Sequence, residues 1–461
     1  MKKSVLIMTL LISISLSAEW ISLDNNATDL FETSSSRALD NTRLDFSLDG
    51  YAIEKIEQNG VEYSKISYPN ASQIITEGVP DLPRFSRLIA IPNSGEVELE
   101  IVDYQSETLS DLTIYPRQAL VSESQAVDRS FKLDQEYYNS ERIFPEQIAD
   151  LGTPAIFRDY RVVSVTINPF RYNPQSRELE IITDISLDVK TSGRGGENIK
   201  QRTGKLSRSF QNLYRASIEN YDQIAQERDQ YQTPSYLFIH PNDSELAAAV
   251  EELAAWKHQK GFEVTLVNTM VIGNTTSNIK NYIQDAYDNW ENPPEYIVLV
   301  GDAGGSFNIP TWTGEFGPGD HGYITLEGDD ILADVSLGRI SIETMQQMYT
   351  ILNKIFTYEK EPYLGSDWIE RAVMIGDPSH SSGGTTIDVS QELTDMIQFA
   401  NEDYEVVEVY DGNWANSLAN EIDSGVSFAN YRGWLGMSGF TSSSVNGLNN
   451  GPQMPFATWL T

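Results

Sequence analysis

Tyr296-Ile297-Val298-Leu299-Val300-Gly301-Asp302 is a run of five apolar residues closed by a glycine and a carboxylate. The run has the length of a strand and no polar position on either face, the pattern of a central strand in a parallel sheet. Upstream, Tyr236 to Ile239 reads as a second such strand. Asn242 with Glu245 then forms a capping-box pair opening a helix that buries Leu246, Val250 and Leu253 and closes at Gly261. Glu263 to Val267 is the next strand, and the following helix gathers Ile279, Tyr282, Ile283, Ala286, Tyr287 and Trp290 on one face. Downstream, past an irregular segment, the pattern predicts a helix near Glu343 to Glu359, a strand Ala372 to Ile375 and a helix near Val389 to Ala400. Strands Val406 to Tyr410 and Val426 to Tyr431 follow. Met454-Pro455-Phe456-Ala457-Thr458-Trp459-Leu460 reads as a further buried, central strand, so the domain is expected to be cut short at Thr461. Strands alternating with helices imply a mostly parallel, helix-covered sheet with its site at the carboxyl ends of the strands.

The preceding third of the chain has a different period. From about Leu44 to Thr191, short alternating runs are punctuated by turn residues. Ile53 to Ile56 and Val61 to Ile66 flank Asn59-Gly60, a hairpin signal. Leu88 to Ile91, Val97 to Val102, Arg161 to Ile167 and Leu179 to Val189 read as further strands. The expectation is a multidomain chain: a β-rich, sandwich-like domain over 19–191, a polar linker over 192–234, and an α/β domain over 235–461. The linker carries Arg194, Arg202, Lys205, Arg208, Arg215 and Arg228 and at most one helix, around Phe210 to Gln226. It reads either as a site of proteolytic nicking or as a solvated connection.

The 461 residues carry a net charge of −35, spread along the chain. An acidic surface repels phosphate, which argues against a nucleic-acid partner. It suits divalent cations or a basic substrate, and equally serves solubility in a saline medium. Residues 1–18 have the anatomy of a secretory signal: Lys2 and Lys3, the apolar run Val5 to Leu16, then small residues. No later segment reaches the ~20 apolar residues of a membrane helix. With no cysteine in the chain, disulfides and a lipid-modified cysteine are excluded within it, and the expected product is exported, at the cell surface or beyond.

Several short motifs occur in order: Trp256-Lys257-His258-Gln259-Lys260-Gly261, Gly301-Asp302, Asp320-His321-Gly322-Tyr323, Gly328-Asp329-Asp330, Asp334, Leu337-Gly338-Arg339 and Tyr358-Glu359. With Glu77-Gly78-Val79-Pro80-Asp81-Leu82-Pro83, Ile89-Ala90-Ile91-Pro92 and Asn168-Pro169-Phe170-Arg171-Tyr172 upstream, the chain resembles the gingipain family of cysteine peptidases. The resemblance runs from about Leu44 to Thr461. It implies a β-rich propeptide packed on a caspase-like α/β domain, activation by cleavage between them at Arg208 or Arg228, and protein or peptide substrates.

Cysteine catalysis needs a thiolate, a histidine that holds its proton and often an acid that orients the histidine. In the family that histidine sits in a Gly-His-Gly turn after an Asn-Tyr strand end; this chain reads Asn430-Tyr431-Arg432-Gly433-Trp434, with Trp434 in the histidine's place. The nucleophile is expected just past Thr461. Of His240, His258, His321 and His380, the resemblance favours His380 as the substitute base and Asp377 as its orienting acid. Each of these histidines also has a solvated or structural reading. Asp388 resembles the acid that selects basic side chains in arginine-cleaving members, or is a carboxylate favoured by a helix N-terminus. The resemblance requires no cofactor; Asp329, Asp330 and Asp334 have the hard oxygens that calcium takes, or form a structural acidic loop. The second reading of the whole is a non-catalytic binding or assembly module, in which Trp434 has displaced the base.

Overall fold

The computed structural model describes residues 18–23, 29–36, 38–69, 71–119, 130–225, 230–314, 317–377, 383–410, 412–433, 437 and 439–460. The signal-like stretch therefore lies outside the described residues apart from Ala18, as do Arg228, His380 and Trp434.

Among the described residues, the first part is built from three antiparallel sheets. One orders Phe170–Asn173, Glu178–Ser192, Asn41–Ser47 and Phe31–Ser35, with Glu96–Leu109 also on the long strand. A second orders Ala155–Phe157, Tyr160–Ile167, Pro83–Ile91 and Ser72–Gln73, with Ala149–Leu151 added. The third has Glu19–Ser22, Gly50–Gln58 and Val61–Ser67. The hairpin at Asn59-Gly60 forms as expected: Gln58 faces Val61 across it, and both turn residues have positive φ, +53° and +77°. A primed turn of this kind matches the twist of its strands. Leu44, Phe46, Tyr51, Ile66, Phe85, Ile89, Val163, Phe170 and Ile185 come from all three sheets and share one core, which makes the arrangement sandwich-like.

The stretch after Ser192 corrects the expectation of a solvated linker with a single helix. It carries two short helices, Gln211–Ser217 and Tyr221–Ile224. Phe210, Tyr214, Ile218 and Tyr221 bury themselves against Ala90 and Val162. Strand alternation explains the site: Ile89, Ile91, Val163 and Val165 point into the main core, so Leu88, Ala90, Tyr160 and Val162 need a cover on the other face. Asn220 completes it, accepting from the Ala90 N–H at 2.8 Å and donating to the Ala90 carbonyl at 3.1 Å.

Among the described residues, the α/β part holds two four-stranded, all-parallel sheets where one was expected. The first orders Glu263–Asn268, Ser235–His240, Tyr296–Val300 and Ser336–Ile340; the second orders Glu405–Val409, Arg371–Gly376, Phe428–Arg432 and Phe456–Leu460. Helices Ser244–Gln259, Thr276–Asn289 and Met345–Lys360 cover the first, and Gly383–Ala400 and Trp414–Ser424 the second. Buried Trp368, packed edge-on against Tyr358 at 6.4 Å, marks the passage between them.

Three local expectations also change. Asp243, not Asn242, caps helix Ser244–Gln259, its carboxylate accepting from the N–H groups of Glu245 and Leu246. Strand Ser336–Ile340 lies within the segment read as irregular, and Arg339 ties it in, donating to the carbonyls of Gly301 and Ile309 at 3.0 Å each. Among the described residues the closing strand stands at the edge of the sheet order, and Phe456 is 66% exposed. Among the described residues it pairs with Phe428–Arg432 alone, and its Trp459 packs on Tyr431 and Phe440.

Candidate active site

The carboxyl ends of the second sheet bring Asp377, Tyr431, Arg432, Gly433 and Thr386 together. Asp377 follows strand Arg371–Gly376 and is 5% exposed. Its N–H donates to the Arg432 carbonyl at 3.0 Å, extending the pairing of the two strands by one bond. Tyr431 donates its hydroxyl toward Asp377 Oδ2 at 3.4 Å, and Thr386, in helix Gly383–Ala400, donates to the Asp377 carbonyl at 2.9 Å. Gly433 is what lets these groups meet. A Cβ there would stand 2.4 Å from the Tyr431 hydroxyl and 2.7 Å from the Asp377 Cβ. A Cβ on Gly376 would likewise meet the Thr386 carbonyl at 2.9 Å, because the helix seats directly on the strand end. The result is a carboxylate held at the position where parallel sheets carry their chemistry, oriented by a phenol from the neighbouring strand.

The other expected site residues are dispersed or structural. Asp388 is exposed on helix Gly383–Ala400, one residue beyond the Ile387 that packs on Gly376. His380 and Trp434 lie outside the described residues. His240 is buried at the end of strand Ser235–His240, with Nδ1 2.8 Å from the Pro241 carbonyl. His258 sits on a helix end with Nδ1 3.2 Å from the Phe262 carbonyl, and His321 is exposed. Asp330 accepts from the backbone N–H groups of Ile156 and Leu332, and Asp334 from those of Leu326 and Glu327. Asp329 is exposed. Among the described residues no three acidic or histidine side chains converge as a cation site.

The motifs that carried the resemblance turn out to be joints of the first sheet's domain. Trp256, Lys257 and Lys260 all donate to the Glu359 carboxylate, at 2.8, 2.7 and 2.9 Å, clamping helix Ser244–Gln259 to Met345–Lys360. Burial raises the Glu359 pKa, but these donors outweigh it and hold the group at about 2. Asp320 forms a two-pronged pair with Arg339, at 2.8 and 2.7 Å, which overcomes its burial and holds the carboxyl below the usual range. Asp302 accepts from Ser341 at 2.8 Å and is likewise lowered. Sequence reasoning named the Asn430-Tyr431-Arg432-Gly433 turn for its missing histidine and overlooked Tyr431 itself. Its signal was the alternation that places Tyr431 beside Ile375 in register, two residues ahead of Asp377.

The family model for peptidase family C25 matches residues 229–461, and that for the C25 propeptide matches residues 30–227. Among curated proteins, Gingipain R2 of Porphyromonas gingivalis strain W83 is 26% identical over 430 residues, covering 88% of this chain and 57% of that protein. Lys-gingipain W83 of the same species is 24% identical over 411 residues, covering 84% of this chain and 23% of that one. The chain thus spans little more than half of the curated relatives it matches, or less. Among solved structures, the complex of Porphyromonas gingivalis RgpB pro- and mature domains is 24% identical, covering 42% of this chain and 98% of that one at a TM-score of 0.38. The Arg-specific cysteine proteinase gingipain R (RGPB) is 22% identical, covering 49% and 53% at a TM-score of 0.43.

Proposed function

The chain belongs to peptidase family C25 as a gingipain-type precursor with the family propeptide ahead of the peptidase region, and from that premise we propose that it serves a secreted cysteine endopeptidase whose nucleophile follows Thr461. In this reading the thiolate attacks the scissile carbonyl carbon, and backbone amides hold the oxyanion. The amine leaves with a proton from the imidazolium, and water then hydrolyses the thioester and regenerates the thiolate. His380 holds the proton and Asp377 orients it. The observation that carries the proposal is Asp377: within the region matched by the peptidase family, a buried carboxylate stands at a strand's carboxyl end with Tyr431 on its Oδ2. Substrates are proteins or peptides, with Asp388 favouring a basic side chain before the cut. Residues 1–18 direct export, and cleavage at Arg208 or Arg228 separates the propeptide.

The test starts from the coding frame beyond Thr461, where a cysteine within the next few codons is required. In a chain extended through that cysteine, His380→Ala and Asp377→Asn should each lower peptide cleavage by about 10²–10⁴-fold. Another residue in place of the cysteine, or unchanged rates in both variants, would refute the proposal. A specific observation favours a second reading as a non-catalytic binding or assembly module: Trp434 stands where the family has its histidine. Under that reading the extended chain cleaves nothing, and Trp434→His alone confers no activity.

A further inference from the structure

We propose, on the reading that a cysteine nucleophile follows Thr461, that Arg432 is a positioning residue for it: Arg432 fixes the end of the closing strand and sets a positive charge beside a thiolate formed there. The strand itself creates the need. Phe456–Leu460 pairs with Phe428–Arg432 alone among the described residues, and Phe456 and Leu460 are 66% and 47% exposed. An edge strand with so little cover is the part of a sheet that opens most readily.

Two residues of the neighbouring strand hold it through side chains that alternation puts on one face. Asn430, 2% exposed, accepts from the Thr458 hydroxyl at 2.7 Å. Two positions on, Arg432 Nη1 donates to the Leu460 carbonyl at 3.3 Å and to the Gly433 carbonyl at 3.2 Å. The Leu460 carbonyl also accepts from the Gly433 N–H at 3.2 Å. Two donors on one carbonyl fix the peptide plane that leads out of the strand. A single guanidinium thus closes the carboxyl ends of two parallel strands, where such sheets carry their chemistry.

The same contact places charge. A thiol attacks only as its thiolate, and a nearby cation favours that form. A histidine holding the proton is such a cation; Trp434, in its place, cannot be one, whereas Arg432, two residues earlier, always is. Of the described carboxylates next to these strand ends, Asp377 lies on the opposite face, where Tyr431 donates to it, and Asp388 stands exposed on helix Gly383–Ala400. Strand Phe456–Leu460 carries no charge. An arginine cannot take up the thiol proton, so this role leaves the base to His380.

Reporter thiols test it in the chain as it stands, which has no cysteine of its own. Leu460→Cys places a thiol opposite Arg432 in register, and Phe456→Cys places one on the same face roughly 13 Å away. The pH dependence of iodoacetamide alkylation gives the pKa of each. The L460C thiol should titrate about half to one unit below the F456C thiol, its partial exposure allowed for. Adding Arg432→Met should abolish the difference, and Arg432→Lys should keep most of it. A merely structural arginine would leave the L460C pKa where it is in all three chains. Equal values in L460C and L460C/R432M overturn the proposal, as do equal values in L460C and F456C should R432M fail to fold. These thiols read the field of Arg432 whether or not a cysteine follows Thr461. In the chain extended through that cysteine, R432M should raise the acid limb of the pH–rate profile by the same amount; a limb that stays in place refutes the role.

Discussion

Replacing Asp334 by asparagine should stabilise this protein at neutral pH, and the gain should vanish in acid. The Asp334 side chain is fully buried, and burial pushes its carboxyl up from 3.8 to about 6. Its Oδ2 accepts from the N–H groups of Leu326 and Glu327, while Oδ1 has no partner. An asparagine keeps one oxygen for those two donors and places an amide NH2 where the unpartnered oxygen stood, so the heavy-atom shape is preserved, the charge is lost, and a buried donor replaces a buried acceptor. The unfolded chain takes up the proton near 3.8, the folded chain near 6. The parent therefore gains stability as pH falls through that window, and carries the full penalty above it. A rise of this size corresponds to roughly 3 kcal/mol at about 1.4 kcal/mol per unit. Losing the attraction between Asp334 and Lys280, whose pKa burial lowers and Asp334 raises, reduces the net gain to about 1–3 kcal/mol. Parallel thermal melts of parent and D334N from pH 8 to pH 4 should show the variant higher above pH 6 and the curves converging near pH 4. A variant that melts lower at pH 8, or a gap independent of pH, would show that the buried charge is compensated and the reasoning mistaken.

Glu359→Gln removes the charge and turns one of the two oxygens shared by three donors into an amide donor; after discounting for partial solvent exposure, the cost should be about 1–2 kcal/mol at pH 7. Because the folded pKa is depressed to about 2, that difference should fade as pH drops from 4.5 toward 2, which acid titration of the two chains by circular dichroism will reveal. Gly433→Ala forces a Cβ against the Tyr431 hydroxyl and Asp377, with an expected cost of about 1–3 kcal/mol measured by urea unfolding. Gly60→Ala places a side chain at φ +77° in the hairpin and should cost about 1 kcal/mol in the same assay, with open space around the Cβ leaving backbone strain as the only cause.

Much of the fold was legible because it is written in local period. Tyr296 to Val300 matches its observed strand residue for residue, and Asn59-Gly60 specified its turn because both positions demand positive φ. Strand Ser336–Ile340 was missed because Gly338 and Arg339 weaken its β-character; Arg339 is held there by Asp320 and two distant carbonyls. Helix Trp414–Ser424 had a readable stripe in Leu418 and Ile422 with Gly425 closing it, and was overlooked. At the candidate site the sequence identified Asp377 and the Asn430-to-Gly433 turn, but neither the Tyr431 contact nor the burial that gives Asp377 its setting.

By itself, then, the sequence determined the order of a β-rich part and an α/β part, the strand ends that carry Asp377 and Tyr431, and the resemblance to one peptidase family. Each rests on residues close together in the chain, where periodicity, turn chemistry and motif order act. Only the tertiary structure decided that the parallel strands divide into two sheets, that the basic stretch after Ser192 is packed, and that Arg158 lies buried beneath the first sheet. Those outcomes depend on partners far apart in sequence, such as Arg158 with Pro294 and Asp334. Burial, which sets the worth of each charge, exists only once the chain has closed around it.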